Sequence, residues 1–394
     1  MKIEQMKGQG RNIFSRLGIP LLLIFTSIGV TFLAGEVALR VILALDRNYL
    51  EQLGTPRERG KGVEFALGDI IRLNPNDSIV YELRPRMKGT FTGKPVTINS
   101  MGMRDVERSV QKAPGTFRIV CLGDSHMFGW GVKQEETFPA VLEMILNERY
   151  QEPVFEVWNM GVPGYNGVME VEVFHQKALP LDPDMVIINY VHNDMDLPNF
   201  LTLPPNVLTL KKSYLWELIE RRLRFFLGRY VPPMDMIQAP WDARRGRFVV
   251  DPEVVPLRFN HLAGWDNMVE AYRRLARTAK SAGIVPVMAI TWADYRGRIR
   301  HNRKEALPQN VLELKNLCRK EGYVVVDAQD RIVRYLKKND LVASSLWLSS
   351  KDNHMNPLHH SLMAREIIRI LEREGILEGT ESGKGSLPDF PSPP

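Results

Sequence analysis

The sequence predicts an α/β fold: a parallel sheet with helices on both faces, a three-layer sandwich, preceded by one N-terminal transmembrane helix. From residue 118 onward, short apolar runs bounded by turn residues alternate with longer segments of helical period, as in a parallel sheet with crossover helices. Residues 17–35 contain no charged side chain and are dominated by Leu, Ile, Val and Phe. The 394 residues, 44% hydrophobic and 25% charged, leave enough chain after that helix for one large globular domain.

At about 1.5 Å per residue, the apolar run approaches the ~30 Å hydrocarbon core of a bilayer. Lys2, Lys7, Arg11 and Arg16 precede it against the single Glu4, which keeps the N-terminus cytoplasmic. The run is long for the core of a cleaved signal peptide, and no small-x-small site follows Phe32-Leu33-Ala34-Gly35-Glu36. The reading is an uncleaved signal anchor over 17–45, with residues 1–16 cytoplasmic and the remainder outside a cytoplasmic (inner) membrane. A cleaved leader is the alternative.

Residues 46–117 read as a stalk and N-terminal extension, punctuated by Pro and Gly with strand-like pieces. Strands are expected at 119–122, 154–158, 185–190, 285–290 and 323–326. Helices are expected at about 137–150, 167–178, 266–282, 308–321 and 361–374. The domain so formed spans 118–376, with an insertion at about 195–262. Inside the insertion, 213–230 reads as an amphipathic helix: Leu215, Leu218, Ile219, Leu223, Phe226 and Tyr230 share one face. It is either packed on the core or a lid or membrane-resting element. The Gly/Ser/Pro-rich tail, 377–394, is expected to be disordered.

Three short stretches carry chemistry. Gly123-Asp124-Ser125 puts Ser125 just past a strand's carboxyl end, where open α/β sheets place active sites. His192-Asn193-Asp194 follows a second strand, and Asp352-Asn353-His354 stands near the C-terminus. Together they supply a hydroxyl to attack, an imidazole to activate it, a carboxylate to orient the imidazole and an amide for the oxyanion. His354 is the expected base, because imidazole titrates near neutrality, and Asp352 the residue that fixes its tautomer. Each stretch alone also reads as an ordinary turn or helix cap. His126 and His192 are expected to line the cleft, and His359 and His360 to open the last helix. A zinc site from His354, His359 and His360 lacks a further ligand at suitable spacing, so neither metal nor cofactor is expected.

Taken in order, these stretches resemble the SGNH hydrolases, also called the GDSL family, over about residues 118–367. Gly123-Asp124-Ser125 matches the first family block and Asn159-Met160-Gly161-Val162-Pro163-Gly164-Tyr165 the second. The third is residues 187–194, and Asp352-Asn353-His354-Met355-Asn356-Pro357 opens the fourth. The resemblance implies an SGNH-hydrolase-like, flavodoxin-like sandwich, a Ser125–His354–Asp352 triad, and an oxyanion hole from Ser125, Gly164 and Asn193. Two departures stand out. Val191 replaces the glycine that normally precedes the asparagine by two, and Asp352 lies two residues before His354 where the family commonly has three. Residues 98–105, Ile98-Asn99-Ser100-Met101-Gly102-Met103-Arg104-Asp105, are similar to a segment of membrane-anchored relatives.

The resemblance implies an esterase acting on acyl, in the first place acetyl, esters of an extracytoplasmic glycan. The alternatives are an O-acyltransferase to a glycan, a lipid esterase or lysophospholipase, and a non-catalytic glycan-binding protein of the same fold. The expected partners are an acylated glycan or lipid ester, and the membrane through the N-terminal helix. The net charge of +6 comes from scattered Lys and Arg, so no nucleic-acid partner is expected. Cys121 and Cys318 give no reason to draw a disulfide.

Overall fold

A computed structural model describes residues 2–45, 64–65, 67–198, 208, 210, 213–226, 241–242, 247–248, 259–291, 309–350 and 352–377. The tail beyond residue 377 and most of the expected insertion lie outside these residues. The chain divides into two compact units, residues 1–52 with 202–236, and residues 53–201 with 237–394.

Helix α1 (Lys2–Leu45) opens the first unit. Its segment Gly18–Ile42 is long and apolar enough to cross a membrane.

The second unit begins with short elements: β1 (Glu64–Phe65), α2 (Leu67–Ile70), β2 (Ile71–Leu73), β3 (Tyr81–Leu83), β4 (Met87–Phe91) and β5 (Lys94–Ile98). This is the segment expected as a stalk and extension. Its Ile70, Tyr81, Leu83, Phe91, Val96 and Ile98 are buried in the same core as Val120 and Leu122. Residues 64–98 therefore belong to the globular unit, not to an extended stalk. No single piece is long or periodic enough to announce this locally; the apolar contacts are made across sequence.

The central elements follow as β6 (Thr116–Leu122), α3 (Ser125–Phe128), α4 (Phe138–Arg149), β7 (Val154–Asn159), α5 (Gly167–Val173) and β8 (Met185–Tyr190). Helix α6 (Tyr214–Phe226) belongs to the first unit, and β9 (Trp241–Asp242) pairs with β10 (Arg247–Phe248). Then come α7 (Trp265–Ala282), β11 (Val285–Ile290), α8 (Gln309–Lys320), β12 (Val324–Asp327) and α9 (Gln329–Lys338). The hairpin β13 (Trp347–Ser349) and β14 (Asp352–Met355) precedes α10 (Pro357–Arg373).

Five strands form one parallel sheet in the order β12-β11-β8-β6-β7. The chain steps from β6 outward to β7, then returns to the other side of β6 for β8. This is the flavodoxin-like order, and its switch point lies between β6 and β8, where such sheets open a crevice at their carboxyl ends. Alternate residues of each strand enter different cores. Val120, Leu122, Val186, Ile188, Met288 and Ile290 pack with α5, α7 and α8, whereas Ile119, Cys121, Ile187, Val287 and Ala289 pack with α4, α9 and α10. Burial on both faces explains why β6 and β8 are continuous apolar runs. Cys121 and Cys318 are both free and lie in opposite cores.

Local signals set the helix ends. Asn166 caps α5 by accepting from Met169 N at 3.0 Å, and α7 stops at Gly283, whose φ is +71°. Helix α10 begins at Pro357, earlier than the expected 361, because Asn356 caps it by accepting from His359 N at 3.0 Å and Pro357 takes the first helical position.

Candidate active site

Ser125 is the first residue of α3, directly beyond β6 and at the switch point. Asp124 caps that turn: its Oδ1 accepts from His126 N at 2.9 Å. Its Oδ2 accepts from the side-chain amide of Asn193 at 3.1 Å, so the turn after β8 is tied to the turn after β6.

His354 comes from the far end of the chain. His354 Nε2 lies 2.9 Å from Ser125 Oγ, and His354 Nδ1 lies 2.6 Å from Asp352 Oδ1. With Nδ1–H donating to the carboxylate, Nε2 is left as the acceptor facing the hydroxyl. Ser125 Oγ also lies 3.4 Å from Asp124 Oδ2, too long to compete for its single proton. The two-residue spacing of Asp352 and His354 is explained by β14: in an extended strand, residues i and i+2 point to the same side. The Asp352 carboxyl is pushed up by burial, but hydrogen bonds from His354 and Trp130 outweigh that and leave it below its ordinary value.

Gly164 sits in the loop after β7 with φ at +79°, a conformation that favours glycine. Tyr81 Oη donates to Pro163 O at 2.9 Å, and Tyr165 Oη donates back to Tyr81 O at 2.5 Å. The N-terminal extension thus pins the loop that carries Gly164. A Cβ on Gly161 would stand 2.3 Å from Phe128 N, so this loop runs against the turn that bears Ser125. Val191, in place of the family glycine, has φ at −126°, which any L-residue adopts, so the substitution carries no backbone strain. Asp194 holds the same turn, accepting from Val191 N at 3.2 Å and from Tyr272 Oη at 2.9 Å.

Residues 121–362 match the model of the GDSL-like lipase/acylhydrolase family. The chain belongs to that family. It is a GDSL-type ester hydrolase on a flavodoxin-like sheet. A search of the curated proteins finds no match. Among solved structures, it is similar to a catalytic mutant of Axe2, an acetylxylan esterase from Geobacillus stearothermophilus (16% identity, TM-score 0.40, covering 65% of this chain and 94% of that one). It is also similar to LAE5, an alpha/beta hydrolase enzyme from the metagenome of Lake Arreo, Spain (16% identity, TM-score 0.40, covering 67% and 97%).

Four other histidines of this GDSL hydrolase are placed unlike His354. His360 is buried, and its Nδ1 accepts from Phe138 N at 3.2 Å, joining α10 to the start of α4. Burial pushes the pKa of His359 down to about 3 and that of His360 well below the ordinary value, which keeps both neutral. His192 is exposed beside Asn193. His126 packs on His354, ring centroids 5.1 Å apart, and burial lowers its pKa.

Trp130 is a site residue that sequence reasoning missed. Its indole stacks on the His354 imidazole at 5.1 Å and 15°, and its side chain reaches Asp352, where it helps to lower the carboxyl pKa. The turn that presents it is clamped by Arg104, whose guanidinium donates to the carbonyls of Phe128 at 3.1 Å, Gly129, and Val132 at 2.6 Å. Arg104 belongs to the 98–105 segment singled out by resemblance, which gives that segment a mechanical role. The signal for Trp130 was its place in Gly129-Trp130-Gly131, just past the nucleophile, but its partners are more than 200 residues away. Trp130→Phe keeps the stack and removes the indole donor. For a contact to a partly exposed carboxylate the loss is about 1 kcal/mol, so kcat for a small ester should fall roughly fivefold with KM unchanged. An unaltered kcat would show that the indole N–H has no part in holding Asp352.

Asp196 ends the turn that carries Asn193, its N–H donating to Asn193 O at 2.8 Å. Its Oδ1 is buried without a partner among the described residues, and burial pushes its pKa up to about 7. A carboxyl raised in the folded state binds its proton more tightly there than when unfolded. Its contribution is therefore complete below about pH 4 and is lost as pH rises through about 7. Asp196→Asn should melt like wild type at pH 4 and higher by several degrees at pH 8.5, read by differential scanning calorimetry. Equal melting at both values would refute the assignment.

Proposed function

We propose that this chain is an extracytoplasmic serine esterase, held at the cytoplasmic membrane by α1, that removes acyl groups, chiefly acetyl, from a glycan. The observation that carries the catalytic part is the continuous chain Ser125 Oγ–His354–Asp352, with contacts of 2.9 and 2.6 Å.

In this reading His354 Nε2 takes the Ser125 proton as Oγ attacks the ester carbonyl, and Asp352 stabilises the imidazolium that forms. The tetrahedral oxyanion is met by the N–H groups of Ser125 and Gly164 and by the Asn193 amide. Each such donor is typically worth about 3–4 kcal/mol of transition-state stabilisation. The imidazolium returns its proton to the departing sugar oxygen, leaving an acyl-Ser125. Water, deprotonated by the same imidazole, then releases the acid and restores the hydroxyl. Support for a polar, sugar-like substrate comes from the groups beside the Ser125–His354 pair: the rings of His126 and Trp130 pack on the His354 imidazole, and the Asn193 amide reaches Asp124. Support for the location comes from the apolar helix and the four basic residues before it.

The test is turnover of p-nitrophenyl esters of increasing acyl length, with acetate release from an O-acetylated polysaccharide in parallel. The acetyl ester should be fastest, with rates falling through butyrate to negligible at octanoate. Rates that climb with chain length would replace the glycan reading with a lipid esterase. Acetyl transfer to an added sugar in preference to water would make the enzyme a transferase.

A further inference from the structure

Within the first unit, α1 carries two charged residues inside its apolar segment, Glu36 and Arg40, and both are used. Arg40 Nε donates to Glu36 Oε1 at 2.7 Å. Glu36 in turn accepts from the backbone N–H of Tyr214 at 3.0 Å, the N–H of Leu215 at 2.7 Å and the hydroxyl of Ser213 at 2.9 Å. The first N–H groups of a helix have no partner within it and need an acceptor. Here the acceptor for α6 is a carboxylate on α1, and negative charge is favoured at that end of a helix. The exchange is reciprocal, because an ionised side chain in an apolar segment is costly unless paired. Arg40 also lies 5.2 Å from the centroid of the Tyr214 ring, and Leu215 packs on Gly35, where a Cβ would stand 3.0 Å away. The first turn of α6 is thus seated on α1.

Beyond that turn, α6 shows an uncovered apolar stripe. At about 100° per residue, Tyr214, Leu215 and Leu218 occupy one arc, which is buried or half-buried. Next to it, Ile219, Leu223 and Trp216 form a second arc, and they are 45%, 58% and 60% exposed. Glu220, on the far side of Trp216, is exposed to water. Glu36 lies about 27 Å along the helix from Gly18, where the span begins. That distance is close to the ~30 Å thickness of a hydrocarbon core. The seat of α6 is therefore level with the outer boundary of the bilayer, where an apolar stripe meets acyl chains and headgroups together.

We infer that α6 is an interfacial helix, fixed to the membrane anchor by the Glu36 cap, with Trp216, Ile219 and Leu223 immersed in the outer leaflet. This rests on the reading of α1 as a membrane anchor. The glycan esterase would then be held by two elements, one crossing the bilayer and one lying along it.

The test uses the full-length protein in phosphatidylcholine/phosphatidylglycerol vesicles. A polarity-sensitive fluorophore is placed in turn through Trp216→Cys, Ile219→Cys, Leu223→Cys, Glu220→Cys and Phe25→Cys; native Cys121 and Cys318 are buried and escape labelling. Labels at 216, 219 and 223 should be quenched by lipids carrying a nitroxide high on the acyl chain, and at least fivefold less by aqueous iodide than the label at 220. Adding Glu36→Ala should move the three stripe labels to iodide accessibility, while p-nitrophenyl acetate turnover reports that the catalytic unit remains folded. Stripe labels as open to iodide as 220, with Phe25 still in lipid, would overturn the inference and spare the anchor. A label at Phe25 open to iodide would remove both. Stripe labels that stay in lipid after Glu36→Ala would refute the cap as the fixing element.

Discussion

Ser125→Ala should abolish ester turnover, with kcat at least about 10³-fold below wild type, and should eliminate labelling by a fluorophosphonate probe. The substitution removes one heavy atom, Oγ, which in the proposed mechanism is the atom that forms the acyl-enzyme. It is also the partner of His354 Nε2, at 2.9 Å. Residues of a triad act as a unit, so the loss is close to that of the whole triad, and what remains is catalysis by the oxyanion donors and binding alone. Fold and stability should be little changed: the backbone of α3 is capped by Asp124, not by the serine hydroxyl. Near-wild-type melting with lost labelling is the expected pair of results. Equal labelling of the two proteins would place the nucleophile elsewhere.

Much of the architecture was legible because it is written in local signals. The β6, β8 and β11 strands are apolar runs with turn residues at their ends, and burial on both faces leaves no ambiguity about their state. Ser125, Asn193 and His354 each follow or sit on a strand, so their neighbourhoods were readable in short windows. What was not legible depends on contacts between distant segments. The β1–β5 extension looks like a stalk because its strands are short and broken by Pro and Gly, and only packing on Val120 and Leu122 makes it part of the core. Helix α9, Gln329–Lys338, was not foreseen: ten residues rich in Lys, Arg, Asp and Gln carry their apolar face on few positions, chiefly Ile332, Val333 and Leu336. Trp130 and Tyr81 contribute to the site by reaching residues far away in sequence, which no motif spacing records. The short interval between Asp352 and His354 looked like a departure until β14 supplied an extended backbone, which turns that interval into a geometric match.

His354→Ala should reduce kcat by a factor approaching that of Ser125→Ala, since among the described residues no other histidine is placed to replace it. His126 is adjacent, but burial lowers its pKa, so it would bind the serine proton poorly. His359 and His360 are buried beneath the site and kept neutral. Asp352→Asn should cost less than His354→Ala but still on the order of 10²–10⁴ in kcat, because an amide can present its NH₂ to Nδ1 and thereby favour the wrong tautomer. The pH dependence follows from the sign of the Asp352 shift. A carboxyl depressed by hydrogen bonds from His354 and Trp130 contributes stability above its unfolded pKa, and that is lost only as pH falls through the lower folded value. Asp352 therefore stays ionised throughout the neutral range and should leave no inflection between pH 5 and 8 in the rate profile of the wild type. The decisive comparison is kcat for wild type, Asp352→Asn and Asp352→Ala on p-nitrophenyl acetate at pH 7.5. If the asparagine variant turned over at near-normal rate, the 2.6 Å contact to Nδ1 would be structural, and the orienting carboxylate of the triad would have to be sought elsewhere.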